Sequence, residues 1–108
     1  MPQYLVQAAY TTDSWASMIK HPVNRIEAVR PAIENLGGKL IGGWLAFGDY
    51  DVVLIAELPT NTDAAALAIA AAAGGSCRTV KTTPLLTSEE ALAAIKKAPT
   101  SGYKAVGA

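Results

Sequence analysis

Ala46-Phe47-Gly48-Asp49-Tyr50-Asp51-Val52 lies near the middle of a 108-residue chain, where it joins two apolar runs, Lys39 to Phe47 and Tyr50 to Leu58. A two-residue loop of Gly48 and Asp49 suits a type II′ turn, because glycine supplies the positive φ that the first position needs. The two runs are therefore expected as the arms of an antiparallel hairpin. Strand side chains alternate between faces, so this turn dictates which residues sit together. Phe47 opposes Tyr50, Leu45 opposes Val52, Gly43 opposes Leu54 and Ile41 opposes Ala56, an apolar set expected to carry helices. The other side pairs Ala46 with Asp51, Trp44 with Val53, Gly42 with Ile55 and Leu40 with Glu57.

Upstream, Tyr4 to Tyr10 reads as a strand, and Thr11 to Ser14 supplies capping residues for a short helix through Trp15 and Ile19. Pro22 disfavours helical geometry at His21 and suits the first turn of a new helix. Ile26, Val29, Ile33 and Leu36 share one face of that helix, with a bend expected at Pro31 and a stop at Gly37-Gly38. Downstream, Pro59 to Asp63 delivers a helix cap, and Ala64 to Ala73 reads as a helix closed by Gly74-Gly75. Alanine is the best helix former but offers little apolar area, so this helix is expected to approach its neighbour closely. Cys77 to Thr83 reads as a strand ended by Pro84. Thr87 and Glu90 form a capping box for a last helix to about Ala98. Residues 99–108, small and polar, are expected as a tail or an arm beyond a domain of residues 1–98.

The order is strand, helix, strand, strand, helix, strand, helix. It predicts an α+β, ferredoxin-like βαββαβ fold: a four-stranded antiparallel sheet with helices on one face plus a C-terminal helix. Tyr4, Val6, Ala8 and Tyr10 suit the helix side of the first strand, leaving Leu5, Gln7 and Ala9 for the other. That second face also holds Leu40, Trp44, Val53 and Ile55, and covering each such side chain is worth roughly 1.5–3 kcal/mol. No helix is left to cover it unless the last one crosses over. The expected solution is a homodimer or higher homo-oligomer through the sheet face.

Nine basic and nine acidic residues cancel and do not cluster, which argues against a nucleic-acid partner or an anionic membrane surface. The run from Ala64 to Gly75 is too short to span a bilayer. A single cysteine, Cys77, permits no intrachain disulfide, and the first residues carry no basic and apolar leader pattern, so a cytoplasmic setting is expected. A hydrophobic share of 51% leaves apolar surface for a ligand cavity or a partner subunit.

The candidate chemistry is sparse. His21 is the only histidine, and with a carboxylate it could transfer protons near neutral pH; otherwise it sits at a surface helix break. Glu57 is the second catalytic candidate: in an apolar site it would hold its proton more tightly or need a cation such as Lys81 or Arg78. Asp51 either fixes the hairpin by accepting backbone N–H groups or serves a ligand. Gln7, Trp44, Tyr50, Asp51 and Lys81 are the ligand-binding candidates, with Trp44 suited to stacking on an aromatic ligand or to anchoring an interface. Cys77 has only Arg78 as a basic neighbour, on the opposite face of its strand, and is expected to be an inert thiol. One histidine and no ligand spacing leave no metal site to expect, and the glycine pairs match no dinucleotide or phosphate loop, so no cofactor is expected.

Tyr4-Leu5-Val6-Gln7, the run Arg25 to Pro31, Leu36-Gly37-Gly38-Lys39-Leu40, Gly48 to Val52 and Lys81 to Thr87 together resemble the GYD domain family over about residues 2 to 98. The resemblance implies a dimeric α/β-barrel type of ferredoxin-like domain, in which two sheets face each other. A similar hairpin occurs in the ligand-binding domains of feast/famine regulators, where small molecules bind between subunits; a helix-turn-helix domain like theirs is not expected within these 108 residues. Relatives of this architecture include cofactor-free monooxygenases, isomerases and dehydratases, and fold analogy alone does not choose among them. The leading expectation is an oligomeric small-molecule-binding or regulatory module. A cofactor-independent enzyme with a cavity between sheet and helices is the alternative, and a purely structural assembly subunit is the third reading.

Overall fold

The computed structural model describes residues 1–107. Strand β1 (Gln3–Tyr10) is followed by two helices, α1 (Thr12–Lys20) and α2 (Arg25–Asn35). The hairpin strands β2 (Lys39–Leu45) and β3 (Val52–Glu57) come next, then α3 (Asn61–Ala73), β4 (Cys77–Leu85) and α4 (Ser88–Lys97). The sheet order is β2-β3-β1-β4, antiparallel throughout, which is the ferredoxin-like arrangement.

Each helix starts where a side chain can take its first free N–H groups. Thr11, Thr60 and Thr87 cap α1, α3 and α4, and the Thr87–Glu90 box is complete in both directions. The chain from His21 to Asn24 does not resume as helix after Pro22. Asn24 caps α2 instead, accepting from the amides of Ile26 and Glu27. Gly37, with φ at +83°, ends α2, and the amides of Gly37 and Gly38 return to the carbonyls of Glu34 and Ile33.

The hairpin keeps the expected register but not the expected turn. Leu45 opposes Val52, Trp44 opposes Val53, Gly43 opposes Leu54 and Gly42 opposes Ile55. Its closing bond is Ala46 N–H to Asp51 oxygen at 2.7 Å, so the strands end early and Phe47 to Tyr50 form an open loop. Phe47, in that loop, is fully exposed, and Leu45, at the end of the edge strand β2, is 60% exposed. A bulge at Ile41 then shifts the pairing, placing Leu40 opposite Ala56 and Lys39 opposite Glu57. Leu40 therefore moves to the helix face, where it is 4% exposed, and Ile41 turns outward. β4 also runs through Pro84, which opposes Tyr4. An edge strand tolerates proline because one side of its backbone needs no partner.

The core lies between sheet and helices. It gathers Tyr4, Val6, Ala8, Tyr10, Leu40, Val52, Leu54, Ala56 and Leu58 with Ile33 of α2 and Leu67 of α3. The Tyr4 hydroxyl donates to Asn61 Oδ1 at 2.6 Å and pins the start of α3 to the sheet. Gly43 lets α2 settle on β2, since a Cβ there would come within 2.7 Å of Ile26 Cγ2. No residue of α4 is buried, and Leu92 and Ile95 stay exposed. The radius of gyration of 17.2 Å exceeds the ~13 Å of a compact chain of this length. From residue 98 the chain makes one 3₁₀ turn, Ala98–Ser101, and continues exposed; the last tail residue, Ala108, lies outside the described residues.

Candidate functional site

The strand order puts β3 and β1 in the middle of the sheet. Helix α2 rests on β2 and β3, and α3 rests on β4. Between the two helices lies a cavity of about 370 Å³, floored by Val6 and Ala8 of β1 and by Val52 and Leu54 of β3. Its walls are small because the helices present alanines: Ala28 and Ala32 from α2, Ala68 and Ala71 from α3. The alanine-rich helix does approach the sheet closely through buried Ala64. Further along, the same small side chains leave room instead of filling it.

The polar groups collect at one end, where β1 leaves the sheet. Tyr10, Arg25, Ser76 and Cys77 line the cavity there. A bulge in the β1–β4 pairing leaves Arg78 without a partner, bringing Tyr10 opposite Cys77. The Asp51 carboxylate accepts the Tyr10 N–H at 2.8 Å. Asp51 also donates its own N–H to the Ala8 carbonyl, so it ties the hairpin to the central strand. The Arg25 guanidinium carbon stands 5.4 Å from the centre of the Tyr10 ring, a cation–π distance. Trp15 meets the same ring edge-on at 5.4 Å.

Burial pushes the Tyr10 hydroxyl above its ordinary range, against the pull of Arg25. Burial likewise raises the Cys77 thiol, and Arg25 opposes that shift as well. Both groups are neutral at pH 7. Among the described residues Arg25 forms no ion pair; the pair present is Arg30 with Glu27 at 2.7 Å. No carboxylate lines the cavity.

Arg25 and Ser76 also line an adjoining polar groove with Thr11, Asp13, Ser14, Ser17 and His21. His21 ends α1 there, its N–H donating to the Ser17 carbonyl at 2.9 Å, and its side chain is exposed. It therefore stands in the outer part of the cavity's polar end. Glu57 is elsewhere: it lies between Gln3 and Lys39 at the opposite end of β1, on the sheet face that carries no helix. Its neighbouring cation is Lys39, brought opposite by the Ile41 bulge, while Lys81 pairs with Gln7 and Arg78 lies by Tyr10, both farther along on β4 across the intervening strand β1.

Three of the ligand-binding candidates fall on one row across that open face. The pairings Trp44–Val53, Val53–Gln7 and Gln7–Lys81 run in sequence across all four strands. Trp44 is 57% exposed, its indole lying over Gly42, while Gln7 and Val53 are half-buried. Tyr50 is half-buried in the hairpin loop and Asp51 is buried. Tyr10, Arg25 and Ser76 were not legible as site residues. Facing alanines on α2 and α3 were the available signal, since two small-residue helix faces over one sheet leave a void. Among the described residues no group of histidine, cysteine and carboxylate side chains could hold a metal ion, and no helix is long and apolar enough to cross a membrane.

Known proteins resemble this chain in fold and family. A family model described as GYD domain matches residues 4–95. A solved structure described as the crystal structure of FFRP-DM1 superposes with a TM-score of 0.55 at 11% identity, over 80% of this chain and 100% of that one. No curated protein matches the chain.

Proposed function

Since the chain belongs to the GYD domain family, we propose that it works as a homo-oligomeric small-molecule-binding module whose ligand enters between α2, α3 and the sheet. The observation that carries this reading is the cavity itself. Its size falls in the range of small-ligand sites, and its apolar walls end in a few convergent polar groups. The open face fits the oligomeric part of the proposal. Leu5, Val53 and Ile55 there are half-buried and Trp44 is exposed, and a second copy's sheet would cover them. Gln7, Trp44 and Lys81 belong to that interface on this reading, and Tyr50 and Asp51 to the hairpin beside it.

A metabolite screen by thermal shift tests the binding reading, because a ligand at 100 times its Kd adds about 2.7 kcal/mol of stability. Stabilising compounds should lose their effect in Ala71→Phe, which fills the cavity. Hits that stabilise this variant as much as the unmodified chain would place the ligand elsewhere.

A second reading, a cofactor-independent enzyme using proton transfer, draws on the groove that joins His21 to Arg25 and Ser76. It requires that a stabilising compound be consumed, and that His21→Ala abolish the turnover. Glu57→Gln should leave turnover intact, given its place on the other face.

A further inference from the structure

The cavity has one charged lining residue. Arg25 is half-buried at the junction between the apolar chamber and the polar groove, and it pairs with no carboxylate among the described residues. A guanidinium placed this way is incompletely satisfied. It lies 5.4 Å from the centre of the Tyr10 ring and hydrogen-bonds the Tyr10 side chain, and the rest of its five N–H donors have no carboxylate partner among the described residues. Beside it stand three neutral groups that can donate a hydrogen, the Tyr10 hydroxyl, the Ser76 hydroxyl and the Cys77 thiol. Asp51, the nearby acidic group, already accepts the Tyr10 N–H. At both Tyr10 and Cys77 the influence of Arg25 outweighs that of Asp51. Burial still raises both groups, so an anion is favoured at the polar end only where it pairs directly with Arg25.

The remainder of the chamber sets the limits on that charge. Val6, Val29, Val52, Leu54 and Leu67 offer no hydrogen-bonding side chain. A dianion such as a phosphate would meet one cation and an apolar wall, with most of its oxygens stripped of water and unpaired. A monocarboxylate needs less. Its two oxygens match the guanidinium fork, and its hydrocarbon part fits between the alanines of α2 and α3.

Building on the binding reading above, we propose that the cavity takes an apolar monocarboxylic acid, its carboxylate on Arg25 and its hydrocarbon chain or ring in the chamber between α2 and α3. The assignment also explains why the cation sits at the end of the chamber. It holds the head of an amphipathic ligand at the groove, where water can still reach it.

Calorimetric titration of the full chain with butanoate, hexanoate and phenylacetate, each against its primary amide, tests the proposal. The acids should bind about 10- to 100-fold more tightly than the amides, as expected for a hydrogen-bonded charge pair against a neutral one. Arg25→Gln should erase that preference, and an unchanged circular dichroism spectrum with cooperative melting shows that the variant is folded. Equal binding of acid and amide would overturn the carboxylate assignment and leave the cavity reading standing. A preference that survives Arg25→Gln would overturn the role of Arg25. Absence of binding by every acid and amide would overturn both this inference and the cavity reading beneath it.

Discussion

The two faces of the sheet are made from neighbouring residues and have opposite surroundings. On β3, Val52, Leu54 and Ala56 are 7%, 5% and 0% exposed, while Val53, Ile55 and Glu57 between them are half-buried. A strand covered on one side ordinarily alternates apolar and polar residues, and a continuous apolar run marks cover on both sides. β3 reads Val-Val-Leu-Ile-Ala before its glutamate, the pattern of the second kind. Yet the chain places its packed helices on one face only. The covered face, moreover, is not filled: the helices above it are spaced by alanines and leave the cavity between them. The apolar surplus of this sequence thus goes to two places, the unfilled interior of one face and the uncovered row on the other.

Adjacent substitutions on β3 give the sharpest way to break this comparison. Leu54→Ala removes a side chain from the covered face and should cost about 3 kcal/mol in chemical denaturation. Ile55→Ala, one residue on, should cost about 1 kcal/mol at concentrations where the chain is monomeric, since its site is only half-buried. Equal losses at dilution would mean that the second face is already packed within one chain.

Trp44→Ala addresses the open face through association. A central aromatic anchor carries about 2 kcal/mol of interface energy, so its loss should weaken self-association about 30-fold. Light scattering against dilution measures it, and the melting of the isolated chain should hardly change. An unmodified chain that remains monomeric at micromolar concentration would refute the interface.

Tyr4→Phe is a smaller probe of the covered face. The Tyr4 hydroxyl bonds Asn61 at 2.6 Å at the start of α3, and its removal should cost about 1 kcal/mol by denaturation. If the loss is negligible, α3 is held by apolar packing alone and the position of the cavity wall does not depend on this bond.

Much of this arrangement was legible in the sequence, and what escaped did so for particular physical reasons. The glycine and proline punctuation, the threonine caps and the branched and aromatic runs of β1 and β3 are local signals, and they yielded the element order and the sheet. The pairing around Trp44 and Val53 also followed from the hairpin. Leu40 was misplaced because a bulge at Ile41 leaves no local mark: both residues are aliphatic, and only the packing of Leu40 under α2 selects its face. Pro84 was read as a stop because the sequence does not say that β4 is an edge. A cavity between sheet and helices was among the expectations, but its lining escaped more completely. Arg25 begins a helix far from Cys77 and Ser76 in sequence, and only the β1–β4 bulge and the end of α3 bring them together. His21 was legible as a chemical type but not as a neighbour of Arg25, and the Glu57 site depends on the same bulge that moved Leu40.

The smallest expected effect concerns the polar end of the covered face and its response to alkaline pH. Tyr10 and Cys77 both lose charge neutrality on deprotonation, and burial raises both above their ordinary values, with Arg25 in opposition. The folded chain consequently keeps each proton to a higher pH than the unfolded chain does. Stability from this source is complete below the ordinary thiol value of 9.0. It is lost as the pH rises through the raised folded values, because the unfolded chain releases protons there first. A melting series from neutral to alkaline pH should show a decline that Cys77→Ala reduces in its earlier part and Tyr10→Phe in its later part. Lys81, on the open face, supplies the contrast: Lys81→Met should leave the shape of that decline unchanged. If it alters the decline as much as Cys77→Ala does, the alkaline response does not belong to the covered face.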